Sequence, residues 1–299
     1  MQQVAISQKS VALSYIKLLR PEQWAKNLFI FIPLFFEGHF FELSLLLKLG
    51  AAFVSFSLVC SAIYVLNDYR DIEADRAHPK KRERPLASGE VSKGAGLAMM
   101  SLLAVAGLGI GLLLNVWFFT ILLTYVAINI GYSFGLKHIG ILDILLIASG
   151  FLLRTVSGGI VADVPVSQWL IIMIFLLALF LAIAKRRDDV VLGADSGLLI
   201  RKSVRNYNLE FINACMTMIA GIIVVAYLMY TISDEVVMRL GDYLVYTSVF
   251  VIAGLMRYLQ ITLVEKNSGS PTKLLYKDSF IQITLVGWIL SFFWLIYLG

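Results

Sequence analysis

The chain has 299 residues, 59% hydrophobic and only 15% charged, with a mean hydropathy of +0.83 and a formal net charge of +5. Soluble domains are about half apolar and a quarter charged, so this composition argues against a soluble globular enzyme. Six prolines without periodic glycine argue against a disordered or collagen-like chain. Cys60 and Cys215 both sit in apolar runs and supply neither a disulfide framework nor a zinc spacing.

The polar start, Met1 to Ser10, lacks the apolar core and cleavage site of a signal peptide. Residues 4–19 read as an amphipathic helix lying at a membrane interface. Apolar runs then predict nine spans, near 24–41, 44–66, 94–114, 116–134, 141–161, 167–184, 212–233, 243–264 and 280–298. The first of these carries Pro33. An all-α integral membrane bundle is expected, a single polytopic domain over 1–299. Of 25 basic residues, 22 fall in the N-terminal arm and the even-numbered loops; only Lys48 and Arg239 fall in the alternate loops, and Arg154 lies inside a span. The positive-inside rule then predicts a cytoplasmic N-terminus, with polar chemistry on cytoplasmic loops 67–93 and 185–211 of a plasma (inner) membrane protein.

The second span ends in Asn67-Asp68-Tyr69-Arg70-Asp71-Ile72-Glu73-Ala74-Asp75. On a continuing helix Asp68, Asp71 and Asp75 share one face. Three such carboxylates repel one another unless a divalent cation lies between them, and Mg²⁺ takes carboxylate and phosphate oxygens. The pattern therefore points to a Mg²⁺–diphosphate site. Lys81, Arg82 and Arg84 follow within a few residues, between Pro79 and Pro85, as cations for a diphosphate leaving group. The sixth span ends at Ala184 and opens into Lys185-Arg186-Arg187-Asp188-Asp189, with Lys185 and Asp189 spaced as an i, i+4 pair. This basic loop suggests a second anion, such as a phosphate monoester. Gln23, Lys26 and Asn27 enter the first span, Tyr132 and Lys137 close the fourth, and Asp143 and Arg154 fall on one face of the fifth.

The run N-D-x-x-D-x-x-x-D followed by H-P-x-K-x-x-R-P-L-A-S-G resembles the first signature of the UbiA superfamily of intramembrane prenyltransferases. With R-P-x-Q-W-x-K-N, G-L-K-H-x-x-x-L-D-I, S-G-F-L-x-R and A-x-K-R, the chain from about Arg20 to Arg205 resembles the decaprenyl-phosphate phosphoribosyltransferases of that superfamily. The resemblance implies nine helices and a Mg²⁺-dependent transfer of 5-phosphoribose from phosphoribosyl pyrophosphate (PRPP) to a polyprenyl phosphate, with release of pyrophosphate. It implies that Asn67, Asp68, Asp71 and Asp75 hold metal and pyrophosphate, and that Lys81, Arg82 and Arg84 neutralise donor phosphates. Tyr132, Lys137, Lys185 and Arg186 are then candidates for the 5-phosphate or ribose, and Lys26 with Gln23 and Asn27 for the lipid phosphate. Asp143 and Arg154 are further substrate-binding candidates. No nucleic-acid partner is expected, and a homo-oligomer is an open expectation. The rival within the superfamily is transfer of a prenyl chain from its diphosphate to an aromatic acceptor. It calls for an acidic loop where Lys185-Arg186-Arg187 stands. A transporter would instead bury its charge in broken helices near the membrane midplane.

Overall fold

The computed structural model describes residues 12–79, 81–196, 207–265, 274 and 277–299. Regular structure among them is entirely helical. Eight helical segments are long and apolar enough to cross a membrane: α1 (Leu43–Arg70), α2 (Lys93–Leu114), α3 (Val116–Ser133), α4 (Leu142–Ala162), α5 (Gln168–Ser196), α6 (Leu209–Thr231), α7 (Ser248–Leu263, preceded by a 3₁₀ turn Asp242–Thr247) and α8 (Ser279–Tyr297). The protein is thus a multi-pass membrane protein.

The expected first span, 24–41, is built differently. It is an eleven-residue 3₁₀ run, Pro21–Phe31, followed by a five-residue α-helix, Ile32–Phe36. Pro33 removes a backbone donor there, and Pro21 opens the run at its first turn. A helix is present over residues 12–19; the remainder of 4–19 lies outside the described residues, as do Arg201, Lys202 and Arg205 of the basic loop.

Two compact units divide the chain. The first comprises Met1–Phe35, His39–Phe134 and Leu153–Pro165; the second comprises Phe36–Gly38, Gly135–Leu152 and Val166–Gly299.

In the first unit α1 is the central helix. Its small residues let α2 approach closely: Ser55 Oγ donates to the Gly107 carbonyl at 2.7 Å, and a Cβ at Gly107 would stand 2.9 Å from the Ser55 carbonyl. Leu49, Phe56, Val59, Phe118 and Leu122 fill the space behind this contact. Asn115 ends α2 in extended backbone and starts α3 by accepting from the Trp117 N–H at 2.7 Å, so one residue makes the turn. The 3₁₀ run lies hard against α4, where a Cβ at Gly158 would stand 1.9 Å from the Ile30 carbonyl oxygen. Most of the apolar surface of α2 stays outward, as a lipid solvent requires.

In the second unit α5 and α6 pack through Phe180, Ile212, Met216 and Ile219, and the Phe180 ring meets the Tyr258 ring of α7 edge-on at 5.1 Å. Arg239 donates to Glu37 at 3.0 Å and to the Phe36 carbonyl.

Candidate functional site: a carboxylate pair held by two arginines

Helix α1 runs four residues past its expected end and carries Asn67 and Asp68 within it. It breaks at Asp71 (φ −92°, ψ 9°), and a separate helix, Ile72–Arg76, follows. The three aspartates therefore do not share one unbroken helical face. Asp68 and Asp75 are buried, 3% exposed each, whereas Asp71 is half-buried. Arg84 Nη1 lies 3.0 Å from Asp68 Oδ1 and 2.7 Å from Asp75 Oδ2. Arg20 Nη2 reaches Asp68 Oδ1 at 2.5 Å. Among the described residues no three His, Cys, Asp or Glu side chains stand close enough to hold a metal ion. The expected carboxylate trio is instead a pair drawn around one guanidinium, and the positive charge relieves their repulsion.

Arg20 opens the R-P-x-Q-W-x-K-N run, which gives it no role of its own. It takes left-handed backbone (φ 51°, ψ 58°) directly before Pro21, a conformation rare for a non-glycine residue and disfavoured before proline. That kink turns the chain from the helix over residues 12–19 into the 3₁₀ run. The guanidinium is also held 5.1 Å above the Tyr64 ring. Such strain is typical of positions whose side chain must be delivered to a site.

Lys81 and Arg82 lie on a 3₁₀ turn, Lys81–Glu83, with Lys81 half-buried and Arg82 exposed. Arg76 Nε donates to the Ala87 carbonyl at 3.0 Å and ties the following helix, Pro85–Ser88, to the Ile72–Arg76 helix. Tyr132 is half-buried near the end of α3. The neighbouring Ser133 hydroxyl touches the Asn67 amide, and the Arg70 guanidinium lies 4.3 Å above the Phe134 ring.

The expected group Gln23, Lys26 and Asn27 is split. Lys26 Nζ donates to Gln23 Oε1 at 2.7 Å. Asn27 points inward and is fully buried; it accepts from Arg154 Nε at 2.7 Å and donates to Ser57 Oγ at 2.8 Å. Arg154 also donates to Tyr125 Oη at 2.9 Å, and its guanidinium carbon lies 4.9 and 4.8 Å from the centroids of the adjoining Phe56 and Tyr125 rings. Asn27 and Arg154 therefore hold each other in the buried interior of the first unit. An apolar span makes a bare charge so costly that oxygens and ring faces gather around it.

In the second unit α5 continues for twelve residues past Ala184, so Lys185–Asp189 is helix rather than loop. Arg186 is buried at 1% exposure, donating from Nε to Asp143 Oδ2 at 2.5 Å and from Nη1 to Asp189 Oδ2 at 2.7 Å. Asp189 is thus paired with Arg186 as an i, i+3 neighbour. Tyr207, which no sequence pattern marked, donates to Asp143 Oδ1 at 2.9 Å and accepts from the Ile141 N–H. Ile141 is itself left-handed (φ 65°), an outlier for a β-branched residue, and it turns the chain into α4 just before Asp143. Burial raises the Tyr207 hydroxyl to about 12, so it remains a proton donor throughout neutral pH. Arg187 donates to Asn213 Oδ1 at 2.8 Å. Arg186 and Asp143 are therefore structural partners, whereas Lys185 is exposed and Lys137 half-buried. Asp143→Asn leaves the buried Arg186 charge short of a partner, and the expected cost is about 3–5 kcal/mol. Denaturant titration in detergent, with the Arg186→Gln and double variants closing the cycle, measures it; additive losses would show that the two groups act separately.

Comparison with known proteins agrees with this architecture. The UbiA prenyltransferase family model matches residues 28–283. A decaprenyl-phosphate phosphoribosyltransferase from Mycolicibacterium smegmatis is 37% identical over 94% of this chain and 92% of its own length. One from Corynebacterium glutamicum is 32% identical over 97% and 89%. The structure of a UbiA homolog from Archaeoglobus fulgidus bound to DMAPP and Mg²⁺ covers 95% of this chain and 99% of its own, with a TM-score of 0.69 at 19% identity, and so shares the fold. With an N-D-x-x-D-x-x-x-D run closing its central helix and a family match over most of its length, the chain belongs to the UbiA prenyltransferase family.

Proposed function

We propose that the protein transfers 5-phosphoribose from PRPP to a polyprenyl phosphate at the cytoplasmic face of the inner membrane, releasing pyrophosphate. One observation carries the reading: buried Asp68 and Asp75 and the guanidiniums of Arg20 and Arg84 are gathered at one helix end. Carboxylates for a divalent cation and guanidiniums for phosphates are the two halves of a diphosphate site. The names of the two bacterial relatives support the transferred phosphoribosyl group and the polyprenyl phosphate acceptor.

Asp68 and Asp75, which a single cationic nitrogen of Arg84 already bridges, would hold Mg²⁺, and Asp71 and Asn67 of the same run are the further oxygen donors this reading assigns to it. When bound, the ion would offset the charge that builds on departing pyrophosphate. Arg84, with Lys81 and Arg82, neutralises donor phosphates, and Arg20 joins them from the N-terminal arm. Lys185, Lys137 and Tyr132 take the 5-phosphate and ribose, and Lys26, oriented by Gln23, meets the lipid phosphate. That phosphate is already an anion and needs no strong general base. Its oxygen forms the new bond to the anomeric carbon as the bond from that carbon to pyrophosphate breaks.

The test is mass spectrometry of the lipid product made by purified protein from PRPP and a panel of polyprenyl phosphates. A polyprenylphosphoryl-5-phosphoribose is expected. Pyrophosphate released only from a prenyl diphosphate with an aromatic acceptor would overturn the reading. Lys185→Ala is expected to raise the PRPP concentration for half-maximal rate about tenfold, as loss of one phosphate contact should; an unchanged value would remove Lys185 from the donor site.

A further inference from the structure

Tyr207 stands just ahead of Asn208, the N-cap of α6, and chemistry fixes the direction of both contacts its hydroxyl makes. It donates to Asp143 Oδ1 at 2.9 Å, since a carboxylate only accepts. It accepts from the Ile141 N–H, since a backbone amide only donates. The ring stacks on Phe211 of α6, with centroids 6.1 Å apart and planes 15° from parallel. Asp143 in turn holds Arg186 of α5, and Tyr207, Asp143 and Arg186 are all buried. The bond to Ile141 falls where the backbone is strained. Ile141 is β-branched and left-handed (φ 65°), a conformation that persists only where its surroundings fix it. The turn it closes is short and internally bonded. Lys137 lies on the 3₁₀ turn Leu136–His138, where the Ile139 N–H donates to the Leu136 carbonyl at 3.1 Å. The Asp143 N–H donates back to the Ile139 carbonyl at 3.2 Å, and the Leu142 N–H to the Gly140 carbonyl at 2.7 Å. Residues 135–143 thus form one bonded piece of the second unit, with Lys137 in it and the Tyr207 hydroxyl at its far end.

We propose that Tyr207 is a positioning residue for the phosphate monoester of the donor: by pinning Ile141 and Asp143 it holds the 135–143 turn against α5 and so fixes where the Lys137 backbone stands. The inference rests on the function proposed above through the role given there to Lys137. The hydroxyl is the part that matters, because it alone joins the strained turn to the Asp143–Arg186 pair; the ring is held separately by Phe211.

Ribose 5-phosphate carries the donor's sugar and phosphate monoester without its pyrophosphate. Its binding to the full-length protein in detergent, measured by isothermal titration calorimetry, therefore reads this end of the donor site alone. Tyr207→Phe keeps the ring and removes the hydroxyl. It is expected to weaken that binding about tenfold, the upper range for one neutral hydrogen bond. Deuterium exchange of the peptide spanning residues 135–143 should quicken in the same variant. In a Lys137→Ala background Tyr207→Phe should cost nothing further, whereas in Lys185→Ala it should keep its full effect. Unchanged affinity in Tyr207→Phe, unchanged exchange over 135–143, or a wild-type protein with no affinity for ribose 5-phosphate would overturn the inference. So would an equal loss in the Lys137→Ala background or none in Lys185→Ala, because a general loosening of the unit does not depend on the Lys137 side chain. Ribose 5-phosphate bound in this Tyr207-dependent way, with no pyrophosphate released from PRPP, would sink the phosphoribosyl reading and leave this inference standing. Turnover of PRPP with ribose 5-phosphate affinity untouched by Lys137→Ala would do the reverse.

Discussion

Asp71→Asn is expected to lower pyrophosphate release from PRPP by about 10²–10³-fold, the range for losing one group that stabilises developing charge, while the unfolding midpoint in detergent stays at the wild-type value. Asp71 sits at the break between α1 and the Ile72–Arg76 helix, half-buried. Its backbone donates to the Asn67 carbonyl at 2.9 Å and accepts from the Asp75 N–H at 2.8 Å, and asparagine keeps both bonds. The substitution removes charge without removing shape. Asp68→Asn is a poorer probe, because Asp68 also anchors Arg20 and Arg84. A near-wild-type rate for Asp71→Asn would take Asp71 out of the site.

Gly158→Ala is expected to be the most destabilising single-methyl substitution in the first unit. The added Cβ would stand 1.9 Å from the Ile30 carbonyl oxygen and 2.8 Å from its carbon, both backbone atoms that no rotamer change can clear. Helix α4 and the Pro21–Phe31 run must part, and that movement pulls on the buried bond from Arg154 to Asn27, one turn away on the same face of α4. Overpacking of this kind costs about 1–3 kcal/mol before the polar contacts are counted. Thermal unfolding in detergent, with Gly109→Ala of α2 as the control, measures it; no atom lies within 4 Å of a Cβ at Gly109. Equal midpoints for the two variants would show that the 3₁₀ run is not pressed against α4.

The family relationship makes Arg186 instructive. From its place among three consecutive basic residues it reads as a phosphate ligand, and in the structure it is spent on Asp143 and Asp189. Its neighbour Lys185 stays exposed on the same helix. Helical phase separates the two roles: residues one apart point about 100° from each other, so a basic run cannot all face one ligand.

Composition and apolar run length by themselves determined the helical membrane class and the rough positions of the eight long helices, because a lipid interior forces every backbone group into helical bonds. The spacing of Asn67, Asp68, Asp71 and Asp75 beside a basic stretch likewise marked where charge would concentrate. Tertiary structure alone decided the partnerships. Arg20 reaches Asp68 across 48 residues and Arg154 reaches Asn27 across 127. Tyr207 closes on Asp143 across 64. Hydrophobicity and charge are properties of each residue and can be read locally. A hydrogen bond depends on which two helix faces meet, and that is set by packing along the whole chain.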